Sequence, residues 1–211
     1  MDLWVSKLVA QHIVFIVQEI LKESLITEDG TPKITSQSVG AAVKKVVPVE
    51  LGKHAYSEML KALTKFPHQK TAGLSFPTNL FEKDLRSWTT PELQFTDSEL
   101  VMFAAVAEYF AAEIFELSGN QARHKKRSRI SPQDVQNAIA GDEELAVLCQ
   151  FKPSEEDLTI PQEQNSVQPN NTGQEQSWPS DVSEEGIYRA LLEPGRPRIP
   201  LDSGPLPKQI L

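Results

Sequence analysis

Residues 3–25 carry the feature that most constrains this chain. Leu3, Leu8, Val9, Ile13, Phe15, Ile16, Ile20 and Leu21 read as one long helix. Between positions 13 and 17 apolar side chains surround much of its circumference, so the helix needs burial on more than one side. A lone helix of this length is marginal in water. Whatever the fold, a second large element has to wrap this one.

The sequence offers one at about 97–122. Thr96 and Glu99 have capping-box spacing, which opens a helix by satisfying its first backbone donors. Val101, Ala105, Tyr109, Ala112 and Phe115 follow on or near its inner face. Both long helices lead into loops and shorter helices. After the first, "TEDGTPK" (27–33) places Gly30 and Pro32 as turn residues. A helix is then expected from Thr35 or Ser36 to near Pro48, and another from Val49 to Phe66, with Pro67 opening a connector. A short helix is expected over Thr78–Ser87, ahead of the second long one. Beyond that one, Ser131 caps a helix with Pro132 at its first position and Asp134 three residues after the cap, and a last turn covers Asp142–Cys149. No strand signal exceeds a few residues, so the fold class is all-α. Neither half can bury its long helix alone, and the halves must cover each other.

Composition limits this core to residues 1–150. Nine of the fifteen prolines lie after Gln150, among Gln, Ser, Asn and Glu. Such a segment buries too little apolar surface to offset chain entropy, so 151–211 is expected to be a disordered acidic tail. Within it, residues 183–195 could form a short amphipathic helix with Ile187, Leu191 and Leu192 on one side. Cys149 is the lone cysteine, which rules out an internal disulfide. The apolar N-terminus starts with Asp2, is broken by Lys7 and His12, and has no small-residue cleavage site. It is read as neither a signal peptide nor a membrane span, being too short and too polar for a bilayer. The chain is expected to be soluble and intracellular, with the Asn170–Thr172 sequon a chance match. His12, His54, His68 and His124 lack metal-ligand spacing. With no phosphate loop and no nucleophile–base arrangement, neither enzymatic activity, nor a cofactor, nor a small-molecule substrate is expected.

Charge is unevenly distributed. The formal net charge is −8, yet Arg123, Lys125, Lys126, Arg127 and Arg129 crowd into one loop. An acidic chain cannot coat nucleic acid through a broad positive field, so any DNA contact must be local. The bland alternatives for this loop are a solvated turn or a nuclear localisation signal.

Residues 104–145, "AAVAEYFAAEIFELSGNQARHKKRSRISPQDVQNAIAGDEEL", closely resemble the central part of core histone 2A. Residues 33–66, "KITSQSVGAAVKKVVPVELGKHAYSEMLKALTKF", are similar to the C-terminal half of core histone 2B. "AGLSFP" (72–77) looks like the lead-in to the first helix of the 2A fold. The resemblance implies a fused pair: a 2B-like half over 1–66 lacking its first helix, and a 2A-like half over 67–150. The implied architecture is a tandem histone fold, an intramolecular handshake in which each copy completes the other's core.

The same resemblance implies a function. In that family the loop after the long helix grips DNA backbone, with an arginine entering the minor groove as histone octamers do. Arg129 matches that arginine, with Lys126 and Arg127 beside it and Arg123 and Lys125 in the same loop. The family's acidic patch, which receives arginine anchors from chromatin-binding proteins, maps onto Glu50, Glu58, Glu108, Glu113, Glu116, Asp142, Glu143 and Glu144. Helical spacing supports the cluster, since Glu108, Glu113 and Glu116 fall within about 140° of arc. The implied partners are duplex DNA, histones 3 and 4, and arginine-anchored chromatin factors or histone chaperones, in the nucleus and on the chromosome. Departures from the pattern are Glu28 and Asp29 in a loop that is basic in the family, Gln94 at an arginine position, and Glu82 and Asp84 on the short helix. These favour the alternative, a histone-fold scaffold or decoy that does not enter nucleosomes.

Overall fold

A computed structural model describes residues 3–68 and 72–149, with the backbone alone for Leu80. The expected disordered tail, including the helix at 183–195, lies outside the described residues. The elements in chain order are α1 (Leu3–Ser24), β1 (Ile26–Glu28), β2 (Thr31–Lys33), α2 (Ser36–Val46), α3 (Val49–Lys65), α4 (Thr78–Ser87), α5 (Asp97–His124), α6 (Pro132–Gly141) and α7 (Glu143–Leu148). The expected helices are therefore present, with ends shifted by at most two residues.

The addition to the all-α expectation is a small antiparallel hairpin, with Ile26 opposite Lys33 and Glu28 opposite Thr31. Its turn residues, Asp29 and Gly30, both sit in the left-handed region at φ 52° and 77°. That is the backbone a two-residue hairpin loop needs to match the twist of its strands. All six strand residues are exposed, so the hairpin stands off the core.

α5 is the spine. It packs against α1, α2, α3, α4 and α6, while α1 also rests on α2 and α6. Covering is reciprocal: α3, from the first half, lies along α5, and α6, from the second, reaches α1. Ile13, Ile16 and Ile20 of α1 join Phe103, Phe110 and Ile114 of α5 in a single buried cluster with Val39, Met59, Phe81 and Leu93. Of the inner-face positions expected on α5, Val101, Ala105 and Phe115 are buried, whereas Tyr109 and Ala112 are half-buried. Gly40 marks a close approach of α2 to α3, since a Cβ there would lie 3.3 Å from the Tyr56 ring.

Carboxylates clip the halves together at helix starts. Glu99, buried, accepts from the Thr96 N–H at 2.7 Å and from the Ser36 hydroxyl at 3.0 Å, joining the beginnings of α5 and α2. α3 opens after Pro48, which has no side chain to cap it. Glu144 supplies that cap from the far end of the chain, accepting the N–H groups of Glu50 at 3.1 Å and Leu51 at 2.8 Å. It satisfies two of the donors that any helix start leaves open, and its charge suits the positive end of the helix dipole.

One expectation is corrected. α1 has 22 residues and a mean hydropathy of 1.3 over its most apolar window, so by length and composition it is long and apolar enough to cross a membrane. Its apolarity has a use within the fold, because 61% of that window is buried against the other helices.

His12 lies in this interior, and burial lowers its pKa from 6.5 to about 4. A depressed folded-state pKa contributes stability above the unfolded value, and that contribution is lost as pH falls through the folded value. Between pH 6.5 and about 4 the unfolded chain gains a proton that the fold resists. Urea unfolding across this window should show the wild type losing up to about 3 kcal/mol more than His12→Gln. Parallel losses in the two proteins would mean that His12 titrates freely in the fold.

Candidate functional site

The basic loop is built by the way α5 ends. The Lys126 N–H donates to the Arg123 carbonyl at 2.8 Å and the Arg127 N–H to the Ala122 carbonyl at 2.9 Å. These paired bonds close a helix through one residue in the left-handed region, usually glycine. Here that residue is Lys126, at φ 54°. A side chain in this conformation costs about 1–2 kcal/mol.

Asp134, at the third position of α6, organises the rest. Its fully buried side chain accepts two bonds from Arg127, at 2.6 and 2.7 Å, and one from Lys125 at 2.9 Å. The Ser131 N–H and hydroxyl add bonds at 2.9 and 2.8 Å. Burial by itself would raise the Asp134 pKa. The bonds from Lys125, Ser131 and Arg127 outweigh it and hold the carboxyl well below its usual range.

The five cations therefore do different things. Lys125 and Arg127 are counter-ions of Asp134, and Arg123 donates to the Asn120 side chain. The side chains of Lys126 and Arg129 are exposed and make no hydrogen bond or ion pair among the described residues. A rigid loop thus presents two uncommitted positive charges.

The carboxylates gather on another surface, in two adjoining grooves. One, of about 390 Å³, is lined by Glu50, Glu113, Asp142, Glu143 and Glu144, with Leu51, His54 and Tyr109. The other, of about 360 Å³, includes Glu58, Glu108, Glu113 and Glu116, and shares His54 and Tyr109 with the first. All eight carboxylates singled out in the sequence line one groove or the other. They are not equivalent. Glu108 accepts from the Ser75 and Phe76 N–H groups at 2.6 and 2.8 Å, fixing the segment that leads into α4. Glu144 caps α3, and Asp142 caps α7 through the Leu145 N–H at 2.8 Å. Glu50 and Glu58 pair with Lys53 and Lys61 on their own helix. Glu113, Glu116 and Glu143 have no ion pair among the described residues.

Crowding shifts the protonation of this face. Burial, then the neighbouring Glu116 and Asp142 carboxylates, raise the Glu113 pKa. Burial, then the charges of Glu113, Glu144, Asp142 and Glu58, raise that of Tyr109. Like charges held this close favour an approaching cation. His54 and Tyr109 were not among the site residues expected from sequence. Their positions were legible: Glu50, His54 and Glu58 stand four apart on α3, as Tyr109 and Glu113 do on α5. Cys149, nearby but buried, has its thiol pKa pushed up to about 12 by burial.

The core histone domain shared by histones 2A, 2B, 3 and 4 matches residues 59–141, from the middle of α3 to the end of α6. Histone 2A.Z of Debaryomyces hansenii is 38% identical over 94 residues, which cover 44% of this chain and 70% of that protein. Histone 2A.Z of Lodderomyces elongisporus gives the same identity over 69% of its length. Histone 2A.Z of Phaeosphaeria nodorum is 41% identical over 81 residues, 38% of this chain and 58% of the relative. The chain belongs to the core histone family. Core histones are non-enzymatic structural proteins, and membership of that family makes this chain a nuclear chromatin protein. Its partners in general terms are those of the family, DNA and other histones.

In this histone the loop should depend on Asp134. Asp134→Ala should cost about 2 kcal/mol or more at pH 7, as charged hydrogen bonds of this kind do. A carboxyl with a depressed folded pKa contributes above its ordinary value of 3.8 and loses that contribution as pH falls through the folded value. Chemical denaturation should therefore show the gap between variant and wild type narrowing only below about pH 4. A constant gap down to pH 2 would mean that the charge of Asp134 contributes nothing.

Proposed function

We propose that the chain is a chromatin structural protein made of a fused histone pair, a 2B-like half over 1–66 and a 2A-like half over 67–150. It binds duplex DNA backbone without sequence preference through the basic loop, and arginine-anchored chromatin factors or histone chaperones through the carboxylate grooves. Reciprocal covering of α1 and α5 supports the pairing. The observation that carries the DNA assignment is Lys126. It occupies a left-handed position where glycine would cost less, and its side chain and that of Arg129 are left uncommitted. Strain kept at one residue is accounted for by what that residue does. Arg129 is the minor-groove arginine in this reading, Lys126 a phosphate contact, and Arg127, Lys125 and Arg123 hold the loop or flank it.

DNA affinity should be modest, with a shallow salt slope of about −0.9 per phosphate neutralised. Lys126→Gly should stabilise the fold by about 1 kcal/mol and weaken binding, separating the two roles. Arg129→Ala combined with Lys126→Ala should remove most binding in a mobility-shift assay. Equal binding by this double variant would reduce the loop to a solvated turn.

On the carboxylate face, guanidinium suits paired carboxylates because its planar donors bond two oxygens at once. Calorimetry with an arginine-bearing peptide should show weaker binding to Glu113→Ala and Glu143→Ala, by about 2–5 kcal/mol if the contact is central and desolvated. Replacing the peptide arginine with lysine should also weaken it. Unchanged affinity in both variants would leave the grooves as an ordinary solvated face.

A specific observation favours the alternative, a scaffold or decoy outside nucleosomes. The exposed hairpin presents Glu28 and Asp29 where the family resemblance implies cations. Co-sedimentation with particles assembled from histones 3 and 4 separates the two: incorporation supports the nucleosomal role, and exclusion supports the scaffold.

A further inference from the structure

The basic loop carries one polar side chain that its own structure leaves unused. Ser128 lies between Lys126 and Arg129, is exposed, and makes no hydrogen bond among the described residues. Ser131, three residues on, is committed instead, its hydroxyl donating to Asp134 at 2.8 Å. The backbone is open at the same place. The Arg127 N–H donates to the Ala122 carbonyl and the Asp134 N–H to the Ser131 carbonyl, while the N–H groups of Ser128, Arg129 and Ile130 make no such bond among the described residues. The loop is therefore pinned on both sides of three residues that begin with a bare hydroxyl. An enzyme cleft that needs unpaired backbone and an accessible nucleophile finds both here.

We propose that Ser128 is a phosphorylation site for a kinase that recognises basic sequence, and that its phosphate withdraws Lys126 and Arg129 from other partners. Lys125, Lys126 and Arg127 stand immediately before it and Arg129 immediately after. No other serine or threonine in the sequence has cations at all four of those positions. A kinase groove that accepts such a substrate is lined by carboxylates. The chain as a whole has a formal net charge of −8, so that groove is steered to this loop and away from the carboxylate face. Lys126 and Arg129 can enter it without breaking the bonds that Lys125 and Arg127 make to Asp134. In the transfer, the Ser128 Oγ forms a bond to the γ-phosphorus of a nucleoside triphosphate, and the bond from that phosphorus to the β,γ-bridging oxygen breaks. The nucleoside diphosphate leaves with the electron pair, and the hydroxyl proton passes to the base of the kinase. The product carries a charge of about −1.5 to −2 at pH 7 and three strong acceptor oxygens. It stands one residue from Arg129 and two from Lys126, whose side chains have no competing partner among the described residues. Charge-assisted bonds of this kind are shorter and stronger than neutral ones. The surplus positive charge of the loop is then neutralised within the molecule. The site itself is independent of the DNA assignment, and its effect on DNA rests on that reading.

The test uses the full chain, treated with ATP and a serine kinase that selects basic sequence. Mass spectrometry should place a phosphate on Ser128, and the peptide spanning that position should stay unmodified in Ser128→Ala. Phosphorus NMR should then show the second pKa of this phosphate below its ordinary value of about 6, because neighbouring cations favour the dianion. In the double variant Lys126→Gln, Arg129→Gln, given its phosphate at Ser128 during translation, that pKa should return toward the ordinary value. In a mobility-shift assay the phosphorylated chain should bind duplex DNA at least about tenfold more weakly than the untreated chain, as withdrawal of two cations predicts. An untreated chain that fails to shift DNA would sink the DNA assignment alone, and mass spectrometry and NMR would still decide the site. No phosphate at Ser128, a phosphate with an ordinary second pKa, or DNA binding undiminished by the phosphate would each overturn the proposal.

Discussion

Everything else in this protein depends on the mutual burial of α1 and α5. Each is too apolar around its circumference to face water on any broad side, and neither half alone has enough surface to cover its own. The interior that results is continuous, running from Val5 to Leu148 through both halves. α5 lies at the centre because its 28 residues carry small side chains on several faces, among them Ala104, Ala105, Ala107 and Ala111, all buried. Small residues let five other helices approach closely, and the crossing can then be tight without strain.

Burying helices end-on against one another creates a second problem, the open backbone donors at their starts. Carboxylates from distant positions answer part of it: Glu144 accepts N–H groups at the start of α3 and Glu108 those of the segment before α4, while Glu99, which caps its own helix, ties that start to the Ser36 hydroxyl. Those solutions shape the candidate functional surface. Three of the eight groove carboxylates are occupied in capping, which fixes the walls, and Glu113, Glu116 and Glu143 are left beside them without counter-ions among the described residues. The basic loop follows the same logic with the signs exchanged. Asp134 consumes Lys125 and Arg127, and what remains available is Lys126 and Arg129. In both places structure takes part of the charge, and the surplus is what a partner would meet.

Much of this was legible in the sequence. Periodicity located the helices because the long ones are strongly patterned, and Thr96, Ser131 and Pro132 marked starts that the backbone confirms. The gathering of eight carboxylates followed from the family resemblance and helical spacing. What the sequence hid were contacts between residues far apart in the chain. Glu144 reads as one acid among several, and only the packing of α7 on the start of α3 makes it a cap. Asp134 reads as a capping residue alone until the loop folds back on it. The hairpin was read as a break because three-residue strands carry no alternation to detect, although Asp29–Gly30 is a hairpin turn signal. Length and polarity do not exclude a bilayer for α1, since a helix buried by its own chain and one buried by lipid look alike in composition.

The central claim, that the two halves are each other's core, is tested most directly by separating them. Residues 1–66 and 72–211 can be produced as two chains, and each followed by circular dichroism through urea unfolding, alone and mixed. Each fragment alone should lack a cooperative transition, and an equimolar mixture should recover one with a slope close to that of the intact chain, because the same surface is then buried. A 1–66 fragment that is soluble, helical and cooperatively folded by itself would contradict the account.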